Sequence, residues 1–92
     1  MNKRLEATVF GQVHGVSFRY YTIREAKRLR LTGWVANQYD GTVMVVAEGP
    51  HHALQELANF LDKGSPLATV DRVETKWLAA TNEFTHFNVR YL

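Results

Sequence analysis

The residues best suited to chemistry lie in segment 11–19, which reads Gly-Gln-Val-His-Gly-Val-Ser-Phe-Arg. Gly11 and Gly15 can adopt backbone conformations closed to other residues, so successive N–H groups can point into one concavity, and a following helix N-terminus adds partial positive charge. The planar guanidinium of Arg19 can bind two phosphate or carboxylate oxygens at once. Together these features predict a site for a small phosphate-like anion. On two glycines and one arginine alone, an ordinary strand-to-helix loop is the better explanation, because short glycine motifs occur often by chance.

A second segment with chemical potential is Gly-Trp-Val-Ala-Asn at residues 33–37, which is followed by Asp40-Gly41. Asparagine before a turn is most often a turn former, because its side chain mimics a backbone turn. The carboxamide of Asn37 has one acceptor and two donors, so it could instead hold a water molecule beside a phosphoryl group bound by the glycine loop. Spacing alone does not decide between these two roles.

The composition suits one compact domain over residues 1–92, because the chain has 92 residues, 46% of them hydrophobic, and single domains commonly hold about 100 residues. The net charge of +2 could attract a small anion but is too weak to indicate nucleic-acid binding. Cysteine is absent, which removes disulfides and thiol chemistry. With no signal-peptide core and no apolar run of membrane-spanning length, we expect a soluble cytoplasmic protein that does not bind membranes.

The histidines and aspartates do not predict a metal site. His51 and His52 are adjacent at the start of a helical pattern, and none of the four histidines forms an i, i+4 ligand pair. Asp40, Asp62 and Asp71 do not have the spacing of a carboxylate cluster for magnesium. No Walker sequence is present. We therefore expect neither a metal nor another cofactor.

Five segments show the alternation or the enrichment in valine and aromatic residues that predicts strands. They are residues 5–10, 34–37, 42–48, 72–77 and 87–91. Asp40-Gly41 separates the second and third segments and is a strong hairpin signal, because this pair tolerates positive φ. The second and third strands should therefore pair antiparallel.

Two amphipathic helices are predicted between these strands, with apolar residues at helical spacing from 23 to 29 and from 54 to 61. Thr22 and Glu25 could form a capping box for the first helix, and Gly33 lies where a helix stop belongs. Pro50 suits the first turn of the second helix, and Gly64 fits the position after its end.

The order is strand, helix, strand, strand, helix, strand, and a further strand. It predicts an α+β, ferredoxin-like βαββαβ sandwich, with an antiparallel sheet, two helices on one face and an additional C-terminal strand. Such a fold hosts many unrelated functions, so it decides nothing about chemistry. RNA-recognition domains of this fold display stacking aromatic residues on central strands, whereas the third strand here, Thr-Val-Met-Val-Val at residues 42–46, has none.

The two glycine-containing segments together resemble the acylphosphatase family. Residues 11–19 look like the first signature of that family, and residues 33–37 with Gly41, Val43 and Gly49 look like its second. The similarity includes Gly64-Ser65-Pro66 with Val70 and Val73, and covers nearly the whole chain. His14 is a departure, because the family commonly carries glutamine at this position.

The resemblance implies hydrolysis of the carboxyl–phosphate anhydride bond of small acyl phosphates, with Arg19 binding the phosphate and Asn37 placing the attacking water. It implies a phosphate-binding loop made of Val13, His14, Gly15, Val16, Ser17, Phe18 and Arg19. Inorganic phosphate should then be both product and competitive inhibitor. We expect a monomer without a nucleic-acid partner. The alternative function is a non-catalytic anion-binding or RNA-binding module on the same fold.

Overall fold

A computed structural model describes residues 1–92, and its strands and helices follow the predicted order. The strands are Asn2–Gln12 (β1), Thr32–Asn37 (β2), Val43–Pro50 (β3), Thr69–Ala79 (β4) and Phe87–Val89 (β5). The helices are Phe18–Arg28 (α1) and His51–Lys63 (α2). Neither helix has the length and apolar character needed to cross a membrane.

The five strands form one sheet in the order β4-β1-β3-β2-β5. β1 pairs antiparallel with β3 and β4, and β2 pairs antiparallel with β3. The additional strand β5 pairs parallel with β2. The predicted βαββαβ sandwich with an added C-terminal strand is thus confirmed, as is the β2–β3 hairpin.

The core lies between one face of the sheet and the two helices. Leu5, Ala7 and Val9 alternate along β1 and are fully buried, as the period-two pattern predicts. The core side chains of α2, Ala53, Leu54, Leu57 and Leu61, are buried against this face. Val9 pairs with Val43, which also pairs with Asn37. The loop after β1 and the turn after β2 therefore lie at the same end of the sheet.

The start of the first helix differs from the prediction. The helix begins at Phe18, so Phe18 and Arg19 belong to its first turn and Thr22 lies in its interior. The Thr22 hydroxyl donates a 2.9 Å hydrogen bond to the carbonyl oxygen of Phe18, an i to i−4 bond that a buried threonine makes within a helix. The predicted capping box of Thr22 and Glu25 is wrong. The N-cap position is held by Ser17, whose side chain makes no capping bond.

Gly33 does not end the first helix, contrary to the prediction. The helix ends at Arg28, and Arg30 takes the left-handed conformation (φ 59°) after it. Gly33 is a residue of β2 with φ 139°. A Cβ at this position would collide with the carbonyl oxygen of Val46 on β3. Glycine is required here by the close approach of two strands rather than by a helix end.

The second helix follows the prediction closely. Pro50 occupies the N-cap position and Gly64 the C-cap, with Gly64 at φ 71°. The next residue, Ser65, is 2% exposed and lies in the connection that leads to β4. This connection packs beside the loop between β1 and α1, because the ring of Phe18 lies directly against Gly64.

Candidate active site

The loop between β1 and α1 is fixed at its two ends by buried side chains. Val13 and Phe18 are each 1% exposed and belong to the core, so they contribute to a site through their backbone groups alone. Between them, Gly15 has φ 69° and Ser17 has φ 62° with ψ 23°. Left-handed conformations at two nearby positions fold the backbone into a concavity of the kind that binds anions. For Ser17, a non-glycine residue, this conformation is uncommon.

The backbone donors of this loop are free. The N–H groups of residues 13–17 donate to no acceptor in the protein, although most backbone N–H groups in folded proteins are paired. The N–H groups of Phe18 and Arg19, in the first turn of α1, have no partner within the helix because none lies four residues earlier in it. The loop and the helix start therefore present a row of available donors, and the helix dipole adds partial positive charge.

Arg19 stands beside these donors without an acidic partner. The ion pairs of the protein involve Arg4, Arg28 and Arg72, and none involves Arg19. The Arg19 guanidinium lies over the ring of Tyr91, with its carbon 5.8 Å from the ring centre. A cation–π contact of this length leaves the N–H groups available for an anionic ligand.

Asn37 is the last residue of β2, and its side-chain Oδ1 is buried and accepts no hydrogen bond from the protein. The tight turn that follows is stabilised by Asp40 instead, whose Oδ1 accepts bonds from the Thr42 hydroxyl at 2.6 Å and the Thr42 N–H at 3.0 Å. These bonds lower the pKa of Asp40 below its ordinary value. The turn is therefore closed without help from the Asn37 carboxamide.

A cavity of about 410 Å³ brings the loop, the helix start and the hairpin together. Of the residues predicted for the site, His14, Arg19 and Asn37 line it, whereas Val13, Gly15, Val16, Ser17 and Phe18 do not. The remaining lining residues are Gln38, Tyr39, Arg90, Tyr91 and Leu92.

The residues after β5 were not predicted for the site. Tyr91 and Leu92 reach the cavity because β5 pairs parallel with β2 and leaves the sheet beside the end of β2. The exposed ring of Tyr39, at the hairpin turn, was missed as well. Alternating hydrophobicity predicts a strand but not its partner, so the sequence pattern carried no signal for these contacts.

Two hydrogen bonds tie the loop to distant parts of the chain. The Ser65 hydroxyl donates to the carbonyl oxygen of Val16 at 2.6 Å. The Nε2 atom of His14 lies 2.8 Å from the carbonyl oxygen of Thr42. No group of three or more histidine, aspartate or glutamate side chains is placed to hold a metal ion. The candidate functional groups are thus the unpaired backbone N–H groups of the loop, together with the Arg19 guanidinium and the Asn37 carboxamide in the cavity.

This fold defines a small α+β domain whose loop after β1 presents unpaired backbone donors beside a cavity. The acylphosphatase family model matches residues 5–89. An acylphosphatase from Salinibacter ruber is 44% identical over 88 residues, which cover 96% of this chain and 93% of that protein. The chain belongs to the acylphosphatase family of enzymes.

Solved structures give the same relationship. The crystal structure of acylphosphatase from Bacillus subtilis matches with a TM-score of 0.93 and 35% identity, covering 97% of this chain and 99% of that one. The structure of HypF from T. kodakarensis matches with a TM-score of 0.82 and 30% identity, covering 96% of this chain but 12% of HypF. The same domain therefore occurs alone and as a small part of a larger protein.

Proposed function

We propose that the protein hydrolyses the carboxyl–phosphate anhydride bond of small acyl phosphates, giving a carboxylate and inorganic phosphate. One observation carries the proposal: the N–H groups of residues 13–17 have no acceptor in the protein, and Arg19, in the first turn of the helix that follows them, has no ion-pair partner. Such an array of donors suits the oxygens of a phosphoryl group. Membership of the acylphosphatase family supports the same reaction.

Arg19 and the loop are proposed to bind the phosphoryl group in both the ground state and the transition state. The leaving group of an acyl phosphate is a carboxylate, which is stable at neutral pH. Phosphoryl transfer also commonly has a loose transition state. Positioning and charge stabilisation can then supply most of the catalysis. No strong general base is required from the protein.

Asn37 is proposed to place the attacking water. Its buried Oδ1 lacks a donor from the protein, and Asn37 lines the cavity with Arg19, so a water O–H can donate to it. The water oxygen attacks phosphorus as the bond from phosphorus to the carboxyl oxygen breaks, and that oxygen leaves with the electron pair as carboxylate. A phosphoryl oxygen takes the proton of the water, so the products are the carboxylate and inorganic phosphate.

Inorganic phosphate should also act as a competitive inhibitor, since it presents the same oxygens to the loop. The reaction is proposed to need no metal, because charge neutralisation is assigned to Arg19 and the backbone donors. We propose that the chain works as a monomer.

Hydrolysis of an aryl acyl phosphate by the purified protein tests the proposal. Phosphate release should be fast for this substrate, negligible for an ordinary phosphate monoester, and unchanged after exhaustive chelation. Activity that vanished with chelator and returned with magnesium would refute the site. Phosphate binding without any hydrolysis would instead assign the chain to a non-catalytic anion-binding role, and retention on RNA at moderate salt would support an RNA-binding module.

A further inference from the structure

His14 joins the phosphate loop to the hairpin that carries Asn37. Its Nε2 atom lies 2.8 Å from the carbonyl oxygen of Thr42, a residue 28 positions further along the chain. A carbonyl oxygen only accepts hydrogen bonds, so Nε2 must carry the hydrogen. His14 itself is exposed, but Thr42 is 4% exposed, so the bond is partly buried.

The carbonyl oxygen of Thr42 also closes the turn that follows Asn37. It accepts a second hydrogen bond, of 2.9 Å, from the N–H of Gln38. The turn is stabilised internally by the bonds from Thr42 to Asp40. Because the turn closes without His14, the histidine bond has a separate effect: it fixes the position of the turn relative to the loop.

We propose that His14 is a positioning residue that fixes the position of Asn37 relative to the phosphoryl group bound by the loop. The catalytic consequence rests on the proposed function above. Arg19 and Asn37 reach the cavity from different elements, one from α1 and one from β2. The His14 bond is a direct side-chain link between the segments that precede Arg19 and follow Asn37. A misplacement of reacting groups by about 1 Å can cost on the order of 100-fold in rate.

The identity of the donor gives the proposal a specific chemical requirement. The neutral imidazole must be the tautomer with its hydrogen on Nε2, which leaves Nδ1 without one. Both this tautomer and the doubly protonated ring can donate to Thr42, so the link persists on protonation. A glutamine at position 14 also has N–H donors at the end of its side chain and can replace the bond, whereas alanine and leucine cannot.

The kinetic test compares His14→Ala, His14→Leu and His14→Gln with the wild-type protein. With the bond removed, kcat for an aryl acyl phosphate should fall by roughly tenfold or more. Inhibition by inorganic phosphate, which is assigned to the loop and Arg19 and not to Asn37, should change less than threefold. His14→Gln should recover most of the lost turnover. Equal kcat in His14→Ala and wild type at a temperature where both are folded would overturn the proposal, as would failure of His14→Gln to exceed His14→Leu.

A measurement independent of activity separates this proposal from the proposed function. Long-range proton–nitrogen NMR on the folded wild-type protein should show the neutral ring protonated at Nε2. The Nδ1-protonated tautomer would overturn the link. A protein that shows the link but hydrolyses no acyl phosphate would refute the proposed function and the catalytic role together, while leaving the geometry intact.

Discussion

The hydroxyl of Ser65 donates a 2.6 Å hydrogen bond to the carbonyl oxygen of Val16, so the connection after α2 supports the middle of the loop between β1 and α1. The two residues are 49 positions apart, and Ser65 is 2% exposed. A partly buried bond of this kind is costly to break, because the carbonyl oxygen is left without this donor. The loop therefore depends on a residue outside the site itself.

Ser65→Ala should increase the flexibility of the loop between β1 and α1, although no contact with the phosphoryl group is assigned to Ser65. We expect a loss of about 1–2 kcal/mol in the free energy of unfolding, faster amide exchange at residues 13–17, and weaker inhibition by inorganic phosphate. Thr85→Ala is the matched control, because the Thr85 hydroxyl is exposed and bonds only to the neighbouring His86 ring. Loop exchange in Ser65→Ala that equals that of the control would show that the bond does not order the loop.

The sequence predicted the fold because local patterns and global topology agree. Alternation along β1 and the Asp40-Gly41 signal predicted the first strand and the β2–β3 hairpin. The pairing of β3 with both β1 and β2 brings segment 11–19 and Asn37 to the same end of the sheet. The resemblance to a family supplied the proposed roles of Arg19 and Asn37, which spacing alone left open.

The failed predictions have a common physical cause. The predicted capping box at Thr22 is wrong because the helix begins earlier, at Phe18 after the N-cap Ser17. Thr22 therefore lies in the buried interior of the helix. Gly33 was assigned to a helix end because the residues around it in the sequence do not show that β3 packs closely against it. The contribution of Tyr91 depends on a parallel pairing of β5 with β2, which is set by tertiary contacts.

Arg19→Gln should impair turnover and phosphate binding together. The guanidinium is assigned to the phosphoryl oxygens in both the ground and transition states, so we expect kcat/KM to fall by at least about 100-fold and phosphate inhibition to weaken in parallel. Arg19→Lys should recover little, because a point charge cannot form two parallel bonds. Arg24→Gln, on the exposed face of the same helix, should behave as wild type. Normal phosphate inhibition in Arg19→Gln would show that the anion does not bind at Arg19.

Glu48 should make the stability of the protein dependent on acid pH. Its carboxylate is 3% exposed and accepts bonds from the Thr81 and Asn82 N–H groups and from Arg4. Burial alone would raise the pKa of Glu48, but these hydrogen bonds outweigh it and lower the pKa. A lowered folded-state pKa gives stability that is complete above the unfolded-state pKa and is lost as the pH falls through the folded-state pKa.

Denaturant unfolding of wild type and Glu48→Gln across pH 7 to pH 3 checks this expectation. At pH 7 the variant should be less stable by about 2 kcal/mol, and the difference should shrink below the ordinary glutamate pKa of about 4.3. Glu74→Gln is the control, because Glu74 pairs with Arg72 at the surface, with both side chains 61% exposed, and should change stability by less than about 0.5 kcal/mol. A difference that stayed constant with pH would contradict the role given to the Glu48 charge.

Asn37→Ala tests the mechanism most directly, because two roles for this residue predict opposite results. If the carboxamide holds the attacking water, its loss should raise the barrier of the chemical step and leave the phosphate cradle intact. We expect kcat to fall by roughly 10²–10³, or about 3–4 kcal/mol, with phosphate inhibition near that of wild type. If Asn37 were a turn former, the melting temperature should fall and kcat should change little.

Asp40→Ala provides the matched comparison for this test. The Asp40 carboxylate holds the same turn through its bonds to Thr42, so its removal should lower the melting temperature while retaining a water-binding carboxamide at position 37. The catalytic role of Asn37 therefore requires a large kcat loss with little destabilisation in Asn37→Ala, and destabilisation with a smaller kcat loss in Asp40→Ala. Full turnover in an Asn37→Ala protein, whatever its melting temperature, would end the assignment of the attacking water to Asn37.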